Sequence, residues 1–271
     1  MNEPPNKGLL PEGLHDVLPP DAAFEADVTG GLVACFASHG YERVKPPLIE
    51  FEESLLSGVG AATMRDTFRL MDPISRHMMG VRPDMTVQVA RIASTRLGQA
   101  PRPLRLCYAG QVLRAHGNQI QPERQLGQAG AELIGSAAAT ADVEVVRLAL
   151  ESLSGIGIVG ITVDLNMPTL ISALVTDLEL DKASAEGLRE ALDRKDVDAV
   201  AAAGDEVARV VVPLLDVVGP VEEALPAMEK LVLPAAAAGE RDSFLQTTRL
   251  IAEELSNVRL TVDPVETRGF E

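Results

Sequence analysis

The stretch from Leu106 to Gly135, LCYAGQVLRAHGNQIQPERQLGQAGAELIG, constrains the fold of this chain more than any other. Two runs, 104–113 and 124–134, flank a polar loop that holds Gly117, Asn118 and Pro122. That is the pattern of two paired strands. Gln128 and Glu132 stand four apart in the second run, so the two-residue period of a strand puts them on one face, with Arg124 and Leu126.

The flanking segments alternate between helix and strand signals. Apolar residues at Phe24, Val28, Leu32 and Phe36 predict one face of a helix over 22–38, ended by Gly40. Residues 41–49 read as an extended strand interrupted by Pro46 and Pro47, hence an edge or interface strand. A strand pair is expected over 67–81 around Asp72-Pro73, a helix over 84–97, a helix over 141–153 and a strand over 157–165. From Pro168 to about Asn257 the composition shifts to Ala, Leu, Asp and Glu with helical periodicity. This half has no Gly-rich phosphate loop, no His/Cys cluster and no nucleophile motif, and reads as a helical packing module. A last strand is expected over Arg259–Val265.

Composition narrows the function classes. With 271 residues, 46% of them hydrophobic, the chain can bury one large core or two smaller ones, and with 3% aromatics and no Trp those cores must be built from Ala, Val and Leu. Cys35 and Cys107 sit in apolar stretches without CxxC spacing, which fits reduced thiols and neither a disulfide framework nor a metal site. No cofactor motif is present. No segment gives about 18 uninterrupted apolar residues, so a cytoplasmic protein without a membrane span is expected. The net charge of −16 opposes nucleic-acid binding. It is uneven: residues 61–130 hold ten arginines against four acids, a local balance of +6 that leaves −22 for the remainder. Most of these arginines read as solvated or ion-paired. Those inside a motif can instead offer a planar fork to a carboxylate or phosphate.

Read together, the helix followed by GYERVKPPLIE (40–50), VRPDMT (81–86) opening a helix, and the strand pair YAGQVLR…RQLGQAGAELIG resemble the core of class II aminoacyl-tRNA synthetases, and specifically histidyl-tRNA synthetase. The resemblance covers roughly residues 8–170 and the last few. It implies an α+β fold, an antiparallel sheet flanked by helices, with a helical insertion. It also implies dimerisation around 40–50, with Tyr41 and Pro47 at the interface. Asp84 and Thr86 fall on the residues that hold the α-amino group of histidine, Arg114 on the arginine that contacts carboxylate and α-phosphate, and Gln128 and Glu132 on the pair that completes the pocket, with the glutamate facing the imidazole. Arg268, in TRGF (267–270), matches a further signature arginine. Elementary chemistry agrees: carboxylates and an amide suit an ammonium, an arginine fork a carboxylate, and a buried glutamate an imidazole N–H. Asp84 also fits a plain helix-capping role.

The departures matter as much. Where the synthetase carries a glutamate that reads adenine, this chain has His116, and the basic residues of the connecting loop are replaced by Gln119, Ile120 and Pro122. No third class II motif follows Arg268. Adenylyl transfer depends on such positioned charges, so their loss costs many orders of magnitude in rate. RPDMTVQVAR, LCYAGQVLR and GQAGAELIG resemble more closely the regulatory subunits of ATP phosphoribosyltransferase. That resemblance implies a non-catalytic partner of a short-form catalytic subunit, with L-histidine as effector and no nucleic-acid ligand. A divergent histidyl-tRNA synthetase or stand-alone amino-acid-activating ligase is the alternative, and a purely architectural dimerisation module a third reading. The expected division is a synthetase-like core over 1–167, a helical insertion over 168–257, and a return to the core sheet over 258–271 that stops short of the relatives' further strands. That stop would leave an exposed sheet edge at Arg259–Val265.

Overall fold

Helix α1 (Asp21–Ser38) opens the regular structure of the chain, which in this computed structural model is described over residues 10–56, 65–117 and 121–266. Its apolar face differs from the expected one. Phe36 is buried and Leu32 packs beside it, but Phe24 is 69% exposed. A strict four-residue row slides around a helix of 3.6 residues per turn, so Phe24 lies about 120° from Phe36. Ala22, Glu25, Ala26, Thr29 and Val33, spaced by threes and fours, line the side facing the sheet.

The prolines divide the next segment. Instead of one strand over 41–49, the chain makes β1 (Glu42–Arg43) and β2 (Ile49–Phe51), which join different sheets. Pro46 and Pro47 cannot donate to a ladder, and their carbonyls are taken by a side chain from elsewhere. Helix α2 (Glu52–Leu55) follows, then β3 (Phe68–Met71) and β4 (Met78–Val81), the expected hairpin. Asp72 fixes its turn by accepting from the Ile74 and Ser75 amides (3.1 Å each) and the Ser75 hydroxyl (2.6 Å). Strands β2, β4 and β3 form one sheet.

Helix α3 (Thr86–Thr95) leads into β5 (Leu104–Leu113) and β6 (Gln125–Ile134). These pair antiparallel without a slip, from Leu104↔Ile134 to Leu113↔Gln125, and β1 adds in parallel to β5. Both faces are covered. Leu106, Tyr108 and Val112 pack with Met85, Val89 and Ala93 on the α3 side. Cys107, with Ala129, Ala131 and Leu133, packs against Phe36, Tyr41 and Leu148 on the α1 side. Burying an aliphatic side chain of this size contributes about 1.5–3 kcal/mol. Two-sided burial is why neither strand shows a clean polar alternation. Tyr41 is 3% exposed within this core, so the expectation that it lines a dimer interface is corrected: its ring is consumed by packing inside one chain. Pro47 is exposed.

The chain divides into two compact units, 1–137 with 148–158, and 138–147 with 159–271. Helix α4 (Ala139–Gly155) supplies residues to both. The second unit holds β7 (Thr162–Asn166), helices α5 (Pro168–Asp177), α6 (Lys182–Asp193), α7 (Val197–Ala202) and α8 (Asp205–Leu215), the short β8 (Gly219–Pro220), α9 (Val221–Glu229), α10 (Ala235–Glu254) and β9 (Arg259–Asp263). Its core is aliphatic, with Leu174, Leu192, Val211, Leu214 and Met228 fully buried. Asp181 and Asp196 cap α6 and α7 through the Ser184 and Ala199 amides. The strand expected at 259–265 forms, but it does not rejoin β5 and β6. It pairs with β7 in a five-residue parallel ladder and with β8 on its other side. It is thus the middle strand of its sheet, and the exposed edge expected there is absent. Its apolar residues explain the placement: Leu260 and Val262 are buried among the second unit's helices.

One buried charge holds the first unit's loops. Arg82, 6% exposed, donates from Nε to the Gln111 carbonyl (2.8 Å) and from Nη1 to those of Pro46 (2.9 Å) and Pro47 (3.4 Å). Burial lowers its pKa, with the charge of Glu50 opposing. Arg82→Met takes this donor from the Gln111 and Pro46 carbonyls, while that of Pro47 still accepts from Gln88 Nε2 at 2.8 Å, and should cost about 2–4 kcal/mol in urea unfolding at unchanged m value. A loss below about 1 kcal/mol would show that the guanidinium is not what ties these loops together.

Candidate functional site

The β5/β6 register decides which side chains meet. Gly110 lies opposite Gln128, Tyr108 opposite Gly130 and Leu106 opposite Glu132, so all six share the face toward α3. Just before α3, Asp84 turns its carboxylate back on the chain, accepting from the Thr86 amide at 2.7 Å. The N-cap of α3 is Met85, with no side-chain cap hydrogen bond, so the expected capping role is replaced by this local bond of the Asp84 carboxylate. Its other oxygen accepts from Gln128 Nε2 at 2.5 Å, while Gln128 Oε1 accepts from the Met85 amide at 2.9 Å. These two bonds fix the amide's orientation, and Gln128 joins the sheet to the start of α3.

The second half of the cluster is centred on Tyr108, which the sequence reading did not single out. Its hydroxyl donates to Glu132 Oε1 at 3.1 Å and lies 3.1 Å from Thr86 Oγ1. The phenol is 4% exposed and lies directly over Gly130, where a Cβ would come within 2.5 Å of its oxygen. Only glycine fits there. The signal was in the sequence: Tyr108 shares the two-residue period of β5 with Leu106 and Gly110. Locating it opposite Gly130 required the register, which the loop length alone does not supply.

Electrostatics follows from burial. Withdrawal from water raises the Glu132 carboxyl above its ordinary value of 4.5, and the charge of Asp84 adds to the shift while hydrogen bonds from Tyr108 and Thr86 oppose it. Burial likewise drives the Tyr108 phenol well above its ordinary 10. With an ionised Glu132, the cluster presents acceptors: both carboxylates and the Thr86 oxygen. Such a set suits a ligand bearing an ammonium and a further N–H donor.

Four of the expected site residues, Asp84, Thr86, Gln128 and Glu132, are thus brought together through Tyr108. Arg114 follows β5 directly, its amide donating to the Arg124 carbonyl at 2.7 Å, and its side chain makes no hydrogen bond to the cluster. Arg268, Asn118, Gln119 and Ile120 lie outside the described residues. His116 is exposed and faces Asp66, Nδ1 to Oδ1 4.0 Å. Arg124 stacks on Phe68 at 4.7 Å and donates to the Glu12 carbonyl, so its guanidinium serves the chain's own structure. A cavity of about 540 Å3 between α1 and the same strands is lined by Glu25, Thr29, Arg43, Gln111 and Gln128, and by neither carboxylate of the cluster. Among the described residues, no group of His, Cys, Asp or Glu could hold a metal ion, and no helix is long and apolar enough to cross a membrane.

Comparison with known proteins agrees with this geometry. The family model for histidyl-tRNA synthetase matches residues 13–271. The fold is shared with the ATP phosphoribosyltransferase regulatory subunit/histidyl-tRNA synthetase of Bacillus halodurans (TM-score 0.83, 23% identity, 98% of this chain and 70% of that one). It is shared too with a chain of the ATP phosphoribosyltransferase complex from Thermotoga maritima (TM-score 0.64, 15% identity, 89% and 81%). The architecture is therefore α+β and class II aminoacyl-tRNA synthetase-like. Within that class the sequence is 55% identical to the ATP phosphoribosyltransferase regulatory subunit of Paramagnetospirillum magneticum, over the whole of this chain and 72% of the relative. The chain belongs to the ATP phosphoribosyltransferase regulatory subunit family.

The raised carboxyl gives a signed prediction. A group with an elevated folded-state pKa contributes stability that is present below its unfolded pKa and lost as pH rises through the folded one. Glu132→Gln removes that loss while retaining an oxygen for the Tyr108 hydroxyl. It should therefore raise the melting midpoint of the ligand-free protein at pH 7.5 by about 1–3 °C. The gain should vanish as pH falls toward 4.5. A variant that melts lower than wild type at pH 7.5 would contradict this account of the site.

Proposed function

We propose that this chain is the non-catalytic regulatory subunit of an ATP phosphoribosyltransferase, acting in the first step of histidine biosynthesis, in the cytoplasm, beside a short-form catalytic subunit that carries the transferase chemistry. The reading is supported by the family's name and by the fold shared with a chain of the Thermotoga maritima complex. The observation that carries it is the hydrogen-bonded acceptor set of Asp84, Thr86, Gln128 and Glu132, in a chain whose adenine-reading position by resemblance is an exposed histidine.

In this reading the set binds L-histidine. Asp84 and Thr86 take the ammonium, with Gln128 holding Asp84 in place. Glu132 keeps one oxygen on Tyr108 and offers the other to the imidazole N–H. Arg114 is assigned to the carboxylate by resemblance, and Arg268 joins the candidate set as the match of a signature arginine. His116 supplies no carboxylate to accept from an adenine amino group, so an activated intermediate lacks a partner there. Feedback then requires histidine to bind two assembly states unequally, a coupling of about 1–3 kcal/mol in systems of this kind. Self-association as a dimer through the exposed Pro47 region, without Tyr41, belongs to the same proposal.

Co-purification with a short-form transferase, assayed with and without histidine, tests assembly and feedback together. Calorimetry tests the pocket: Glu132→Ala should weaken histidine binding by about 10- to 100-fold, the worth of one charge-assisted hydrogen bond, and leave assembly intact. Equal affinity in the two proteins removes these residues from the sensor role. Histidine-dependent exchange of pyrophosphate with ATP would restore the ligase alternative.

A further inference from the structure

Three polar side chains of the cluster meet, Glu132 Oε1 to Tyr108 Oη at 3.1 Å and Tyr108 Oη to Thr86 Oγ1 at 3.1 Å, with Thr86 also near enough to Glu132 to favour its carboxylate. The middle member is 4% exposed, so bulk water does not stand in for either neighbour. A hydroxyl donates once, so the directions of the two bonds are tied to each other. When Glu132 is a carboxylate it can only accept: Tyr108 donates to it, Thr86 donates to Tyr108, and Thr86 turns a lone pair outward. When Glu132 takes one proton from solvent, its O–H can donate to Tyr108. Tyr108 then donates to Thr86, whose own proton turns outward. No proton crosses the chain, and each hydroxyl only rotates.

We propose that Glu132, Tyr108 and Thr86 act as a reversible hydroxyl relay, in which the charge at Glu132 sets whether Thr86 offers a lone pair or a proton to a ligand's ammonium, with Tyr108 as the positioning residue that makes the two ends of the pocket interdependent. The inference rests on the amino-acid-pocket reading above and adds a proton linkage to it. An ammonium has donors only, so it is welcomed in the first state and repelled in the second. Ligand binding therefore holds Glu132 ionised, and the contribution of the amino group declines as the pH drops. The titratable groups facing Glu132 among the described residues are Tyr108 from β5 and Asp84 ahead of α3. Nearby cations are committed elsewhere, Arg82 to carbonyls and Arg91 of α3 to Glu50. The burial that raises the Glu132 carboxyl brings the change above pH 4.5.

The test compares L-histidine with its des-amino analogue, 3-(imidazol-4-yl)propionate, by calorimetry on the purified protein at about pH 7.5 and about pH 5. Imidazole titration is common to both ligands and cancels in the ratio of their dissociation constants. In wild type, the advantage of histidine over the analogue should shrink by about three- to tenfold at the lower pH, the worth of one hydrogen bond. Tyr108→Phe keeps the ring and removes the relay while leaving the charge of Glu132 in place, so its ratio should move clearly less with pH than that of wild type. Thr86→Val, at an exposed helix start, should behave the same and covers the case in which the Tyr108 variant does not fold. A wild-type ratio that does not move, or one that moves equally in both variants, overturns the relay. Absence of histidine binding to wild type at pH 7.5 overturns the pocket itself, and the relay's role with it.

Discussion

The slip-free ladder between β5 and β6 is the constraint on which the rest of the first unit depends. A one-residue slip of β6 on β5 would exchange the faces of β6, turning Gln128 and Glu132 toward α1, away from Tyr108, and placing Ala129 and Ala131 against α3. Each face is already committed to a different core, so the register is enforced from both sides. The pocket inherits its precision from that packing. Its polar groups sit on strands and at a helix start, and its only flexible members are locked by hydrogen bonds to one another.

Much of the fold was legible in the sequence for identifiable reasons. The strand pair, the hairpin at Asp72 and helix α3 appear where composition and turn residues place them, because those signals are local. One departure is a matter of helix geometry, and the others are non-local. Phe24 was assigned to the buried face because an i+4 row looks like a helical stripe over short distances. Tyr41 was assigned to an interface, but Phe36 and Leu148 reach it from separate helices. Strand β9 was assigned to the larger sheet because no local signal names its partner, and Val163 and Leu165 of β7 had already supplied one. In the site, the charged residues announced themselves by type. Tyr108 did not, since an aromatic in an apolar strand reads as core. It serves as both.

The charge distribution fits this division of labour. The arginines concentrated between residues 61 and 130 are largely spent on structure: Arg82 on backbone carbonyls, Arg91 on Glu50, Arg124 on Phe68 and Glu12. The cluster itself is acidic, with Asp84 and Glu132 close enough for the charge of one to raise the carboxyl of the other.

The β5/β6 hairpin is also a partition one layer thick. Odd-numbered residues of β5 from Cys107 to Gln111 face α1, and even-numbered ones from Leu106 to Val112 face the carboxylates, on a single pleated backbone. A displacement of Phe36 or Leu148 that pushes on Cys107 or Ala129 must carry Tyr108 and Gln128 with it, since adjacent residues of a strand cannot move independently. The two faces of the hairpin therefore cannot be repacked separately, since every side chain on either one is hung from the same two strands.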